Sequence, residues 1–207
     1  MRVLWLSPLL LTNLDEGSGT WLLAIAPHLL RSGQITLGNI TVAPVSQTRR
    51  QDYEEVSQLL VPGNHNSISN DLPSKKVIGD IVKAAKEFKP DIVHIWGTEY
   101  FWGLLTARKL LPYPSLLEIQ GLKGPCSRVF AGGLSFKEIL ACIGIKEVLK
   151  KSNILQHKKR FAEWSYIEKE IIAKHSNITT QSLWVEAWIR FLNPSCNLYH
   201  TELVLRD

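Results

Sequence analysis

Three short stretches of the chain carry residue types suited to holding an oxygen-rich, negatively charged ligand. The first is GSGT, made of Gly17, Ser18, Gly19 and Thr20, between a strand-like run and an apolar helix-like run. Glycines let the backbone approach a ligand closely, and the N–H groups of a helix start favour negative charge. The second is His94 followed by WGTEY, which contains Thr98 and Glu99. The third is Gln120 followed by GLKG, with Lys123 inside it and Arg128 just beyond. Imidazole, hydroxyl, carboxyl and amide groups orient hydroxylated ligands, while Lys and Arg meet phosphates. Each stretch has a plainer reading too: GSGT as a turn, His94 as a satisfied histidine, Glu99 as an acid favoured in the first turn of a helix.

Two common nucleotide motifs are excluded. A GxGxxG dinucleotide fingerprint fails because Leu22 stands at the third glycine, a long loop replaces the tight turn, and no acid closes the second strand at TVAPVSQ. GSGTW also lacks the lysine of a Walker loop.

The elements that must position these residues follow from periodicity. RVLWLS, residues 2–7, is a short apolar run of the kind buried on both faces of a parallel sheet. Residues 19–31 form an apolar helix in which Pro27 is expected to introduce a kink or a break. A strand lies within 34–45, and the polar stretch 46–73 is a long connection with a strand near SQLLV. Ser74 caps an amphipathic helix to Phe88. Strand 91–96, helix 100–110 and strand 115–121 follow with short joints, which is the signature of βαβ units. The glycine-rich segment 121–136 reads as a surface loop, and 137–150 and 156–175 as helices. A strand at 176–182, a helix at 183–192 and a last strand at 196–206 complete the order. The expected fold is α/β, a doubly wound, mostly parallel sheet with helices on both faces. In such a sheet, ligands bind beyond the carboxyl ends of the strands, where the three stretches should meet.

Composition bounds the rest. The 207 residues are 45% hydrophobic and 21% charged, as in a globular domain with a substantial core. The apolar runs are shorter than a membrane span, and Val3 opens a strand pattern rather than a leader. Three widely spaced cysteines without a CxxC pattern fit a reducing cytoplasm and no zinc site. The net charge of +5 is concentrated in KEVLKKSNILQHKKR, residues 146–160. That run is a solvated face or an attraction to an anionic partner such as a nucleotide sugar or an inner membrane face. It lacks the pattern of a nucleic-acid binder. Of the seven Trp, Trp5 and Trp164 belong to core segments, and Trp96 and Trp102 are placed in packing ahead of sugar stacking. Glu118, inside an apolar strand, faces solvent or pairs with a base such as Lys123, and is not nominated as catalytic.

RVLWLSP…GSGTWLLAIAPHLL, KPDIVHIWGTEYFWGLL, SLLEIQGLKG and NPSCNLYHTELVLR together resemble the N-terminal half of a retaining, GT-B fold glycosyltransferase of family 4. The resemblance covers nearly the whole chain and is densest at 1–33 and 89–124. It implies a single Rossmann-like, acceptor-binding domain over 1–207, with the C-terminal donor-binding domain absent. By the same resemblance, Gly17, Ser18, Gly19 and Thr20 form the loop facing the donor diphosphate. His94, Thr98 and Glu99 lie near the acceptor. Gln120 stands where the family often has histidine, so it bonds a sugar hydroxyl without titrating, and Lys123 and Arg128 lie in the loop after it. The whole enzyme would transfer a sugar from a UDP- or GDP-linked donor to an acceptor hydroxyl with retention, without a metal. The acceptor would be a growing polysaccharide or a lipid-linked sugar, with peripheral membrane contact. Alone, the chain would be inactive. Two alternatives stay open: a non-catalytic carbohydrate- or partner-binding module, and a subunit of a split glycosyltransferase.

Overall fold

The computed structural model describes residues 1–12, 20–63, 72–150 and 152–202. The strands are β1 (Arg2–Ser7), β2 (Thr36–Ala43), β3 (Arg49–Arg50), β4 (Ser57–Pro62), β5 (Ile92–Trp96), β6 (Ser115–Glu118), β7 (Asn177–Thr180) and β8 (Asn197–His200). They form one eight-stranded sheet in the order β3-β4-β2-β1-β5-β6-β7-β8. Every pair is parallel except β3 with β4. The order reverses between β1 and β5, the topological switch at which open α/β sheets bind ligands.

The helices are α1 (Thr20–Arg31), α2 (Lys75–Phe88), α3 (Trp102–Ala107), α4 (Lys123–Arg128), α5 (Phe136–Ala141), α6 (Ile145–Leu149), α7 (Ile154–Lys174) and α8 (Leu183–Leu192). Alternation along the strands sorts them into two layers. Leu4, Leu6, Val93, Ile95, Leu117 and Ile178 pack with α2, α3, α7 and α8. On the other face Val3, Trp5, Leu37 and Trp96 pack with Leu22 and Ala26 of α1.

Three expectations are corrected. The break offered at Pro27 is absent, since Pro27 sits inside a continuous α1. Burial of Leu22 and Ala26 against the sheet offsets the lost backbone bond. The helix foreseen over 137–150 is two short ones, since Gly144 in extended conformation ends the first run and caps α6. The loop foreseen over 121–136 contains α4, whose first turn accommodates Pro125 because no N–H is needed there.

Candidate functional site at the carboxyl edge of the sheet

The chain leaves β5 through Gly97, whose φ of +87° is a conformation that glycine adopts without strain. The Gly97 N–H donates to the Glu118 carbonyl, and the Thr98 hydroxyl donates to the Gly121 carbonyl at 3.2 Å. The loops after β5 and β6 are thereby tied into one ledge. Glu99 folds its carboxyl back over this ledge, where two glycines make room for it. A Cβ on Gly97 would collide with Glu99 Oε2, and one on Gly121 would stand 2.9 Å from Oε1. Burial pushes the Glu99 carboxyl up from 4.5 to about 7, against the opposing pull of its own and Thr98's backbone N–H groups and of Lys123. Gln120 lies on the same ledge, with Oε1 3.6 Å from the Gly97 Cβ position. Its Nε2 is buried with no hydrogen-bond partner among the described residues.

Directly behind the ledge is a closed polar knot. Lys123 is only 9% exposed. Its ammonium donates to the Glu99 carbonyl at 2.8 Å and sits 4.9 Å from the Trp164 ring, with Phe161 and Tyr100 at 5.8 and 5.9 Å. Burial holds its pKa below the usual lysine value, against Glu99 and Glu168. The Glu168 carboxylate, from α7, accepts the backbone N–H groups of Lys123 at 2.7 Å and Gly124 at 2.9 Å. It thus fills the start of α4, which would otherwise be open to an anion. Burial raises the Glu168 pKa in spite of these donors. The Trp164 indole N–H closes the knot by donating to the Thr98 carbonyl at 2.6 Å.

A third group lies on the sheet face covered by α1. His94 is flanked by Trp5 and Leu116 in the register. Its ring stacks on Trp96 at 4.3 Å, and its Nε2 stands 3.7 Å from Glu118 Oε2, beyond hydrogen-bond range. Glu118 accepts from the hydroxyls of Thr179 and Thr201 and from the Gln181 amide. Burial pushes Glu118 upward, but His94 and the two hydroxyls outweigh it and hold the carboxyl below its usual range.

The structure therefore brings Thr98, Glu99, Gln120 and Lys123 together. His94 belongs to the adjoining face. Arg128 is apart from them, exposed at the end of α4 with its guanidinium 5.6 Å from the Trp188 ring. Gly17, Ser18 and Gly19 lie outside the described residues, and Thr20 opens α1. Lys123 is in a helix and enclosed by aromatic rings rather than in a loop, and Glu118 is bonded to Thr179, Gln181 and Thr201 rather than paired with Lys123. Trp96 and Trp102 are buried. Sequence reasoning missed Glu168 altogether. Its signal was an acid on the stripe Trp164, Glu168, Ile171, Ile172, the buried face of α7.

A cavity of about 260 Å³ lies at the opposite edge, among Arg2, Thr36, Arg50, Ser57, Glu87 and Phe88. Arg50 pairs there with Glu87, and Arg2 covers the Phe88 ring. The unpartnered amide of Gln120 is at the carboxyl edge.

Solved structures share this architecture. Sucrose-phosphate synthase from Thermosynechococcus elongatus superimposes with a TM-score of 0.53 at 11% identity, over 97% of this chain and 47% of that one. The trehalose-6-phosphate protein from E. coli, bound with UDP-2-fluoro-glucose, matches with a TM-score of 0.57 at 6% identity, over 100% of this chain and 49% of that one. The fold is that of one Rossmann-like half of the GT-B type. Phytolacca americana UGT2, complexed with UDP-2-fluoro-glucose and pterostilbene, agrees at a TM-score of 0.53 and 10% identity, covering 100% and 55%. This chain spans about half the length of these structures, and at such identities the likeness is one of fold. No protein-family model and no curated protein matches the sequence. Among the described residues, no helix is long and apolar enough to cross a membrane.

Proposed function

We propose that this glycosyltransferase-like domain is the acceptor side of a retaining, family 4 enzyme whose donor-binding domain is not in the chain. The enzyme transfers a sugar from a UDP- or GDP-linked donor to an acceptor hydroxyl on a polysaccharide or lipid-linked sugar, without a metal. The observation that carries the reading is the ledge at the strand ends, where Glu99 and the unpartnered Gln120 amide converge over Gly97 and Gly121. An ionised Glu99 accepts a hydrogen bond from the acceptor hydroxyl, and Gln120 donates to a second oxygen. Thr98, Lys123, Glu168 and Trp164 hold the ledge in place. The loop Gly17–Gly19 and the start of α1 face the donor diphosphate in this proposal, which the family resemblance supports. His94, under Trp96, sets the shape of the β5 end, and Arg128 lies outside the acceptor site.

The test is an amide NMR titration of the chain with glucose-containing disaccharides and oligosaccharides, with and without UDP-glucose. Saturable shifts at Gly97–Tyr100 and Gln120–Lys123 with saccharide are expected, together with weakened binding in Glu99→Gln. Shifts confined to other edges of the sheet, or none at saturating saccharide, contradict the reading.

A further inference from the structure

The segment between α4 and α7 has a property that neither the core nor the ledge requires. Within residues 132–150 only Ile139 is buried and Ile143 half-buried, and every other residue is exposed. Nevertheless the segment is rich in large apolar side chains: Phe136 is 66% exposed, Leu140 49%, Ile145 80%, Val148 51% and Leu149 78%. Of the fourteen large apolar side chains exposed among the described residues, eight fall between Val129 and Leu155. Helices α5 and α6, six and five residues long, bury one residue and none. Helices this short are not stable in water on local bonds, so they call for a partner for their apolar side chains.

The charges around them indicate which partner. Residues 128–160 hold eight Lys or Arg against two Glu, an excess larger than the +5 of the whole chain. In α6 the apolar Ile145, Val148 and Leu149 recur at one-turn spacing, and Lys146 and Lys150, one turn apart, flank them. Lysine is depleted from protein–protein interfaces, whereas apolar residues interleaved with lysine are the composition of a segment lying in a lipid headgroup layer. The placement also fits a planar surface. Helix α7 returns the chain to β7, which runs parallel to β6, so α7 begins at the carboxyl edge of the sheet. The segment before it therefore projects from the same edge as the ledge of Glu99 and Gln120.

We propose that α5, α6 and the start of α7 form a docking surface for an anionic lipid membrane. The apolar side chains enter the headgroup boundary, and Lys137, Lys146, Lys150, Lys158 and Lys159 lie against the lipid phosphates. The site ledge is then presented towards the bilayer, open to an acceptor held there. The surface stands or falls independently of sugar transfer, because its binding is read without turnover.

The experiment is co-sedimentation of the 207-residue chain with vesicles of mixed phosphatidylglycerol and phosphatidylcholine, against phosphatidylcholine alone. Binding to the mixed vesicles is expected, fading as salt is raised. The pair Lys146→Gln and Lys150→Gln should weaken it about 30-fold. The pair Ile145→Ser and Leu149→Ser should weaken it on the order of 10-fold at unchanged thermal stability, because both side chains are already in water. Leu183→Ser with Phe191→Ser, exposed on α8, should leave it unchanged. Absent binding, equal binding to neutral vesicles, indifference to the Ile145 and Leu149 pair, or loss in the α8 pair each overturns the proposal. Self-association of the native chain that the Ile145 and Leu149 pair abolishes, with no vesicle binding, assigns the face to a second copy instead.

Discussion

Glu168 and Glu99 flank the same lysine, yet their surroundings differ in kind. Glu168 is 1% exposed and accepts two backbone N–H groups. It closes the start of α4 and faces nothing outside the protein. Glu99 is half-buried at the sheet edge, over two glycines, with a carboxyl pushed up to about 7. The carboxylate with its donors in place builds the structure. The one whose ionised form is under-solvated is free to act on a ligand.

The difference can be broken from either side. Glu168→Ala has the largest expected effect. It strips two backbone N–H groups and a buried ammonium of their acid and should cost about 3 kcal/mol in a denaturant melt at neutral pH. Glu99→Gln should do the opposite. A raised carboxyl pKa favours the protonated folded state, so that contribution is complete below the unfolded value of 4.5 and is lost as pH rises through about 7. The variant, neutral at every pH, should therefore be more stable than the native chain by about 3 kcal/mol at pH above 8, and close to it near pH 4. A native chain that stays the more stable at alkaline pH would refute this.

Gly97→Ala sharpens the comparison. The added methyl meets Glu99 Oε2 at a backbone φ of +87°, so the carboxyl must leave the ledge. The expected cost is about 1–2 kcal/mol, with the Glu99 midpoint falling back towards 4.5 when followed by NMR. The smallest effect is expected on the α1 face. Glu118→Gln should cost about 1 kcal/mol at neutral pH. Because the Glu118 pKa is depressed, that stability is present above the unfolded value and fades as pH falls through the folded one. Paired melts at pH 7 and in acid would show whether the difference narrows.

Much of this was legible in the chain. The run KPDIVHIWG gives β5, and a glycine after an apolar strand marks its exit, so the ledge residues Thr98, Glu99 and Gln120 stand out by type and position. The fold followed from alternating periods and short joints. What stayed hidden is non-local. Helix α4 begins GLKGPC, a composition that reads as loop, and its cap is supplied by Glu168 from 44 residues along the chain. No local pattern announces such a partner. Lys123 likewise looked available to a phosphate until α7 brought Phe161 and Trp164 over it.

The most direct test is a carboxyl-detected NMR titration of the glutamates, repeated with a saturating oligosaccharide acceptor. Glu99 should titrate near 7 and move when the saccharide is added, while Glu168 stays indifferent to it. A Glu99 midpoint near 4.5, or a saccharide that shifts Glu168 and leaves Glu99 unmoved, would contradict the division of labour between the ledge and the knot behind it.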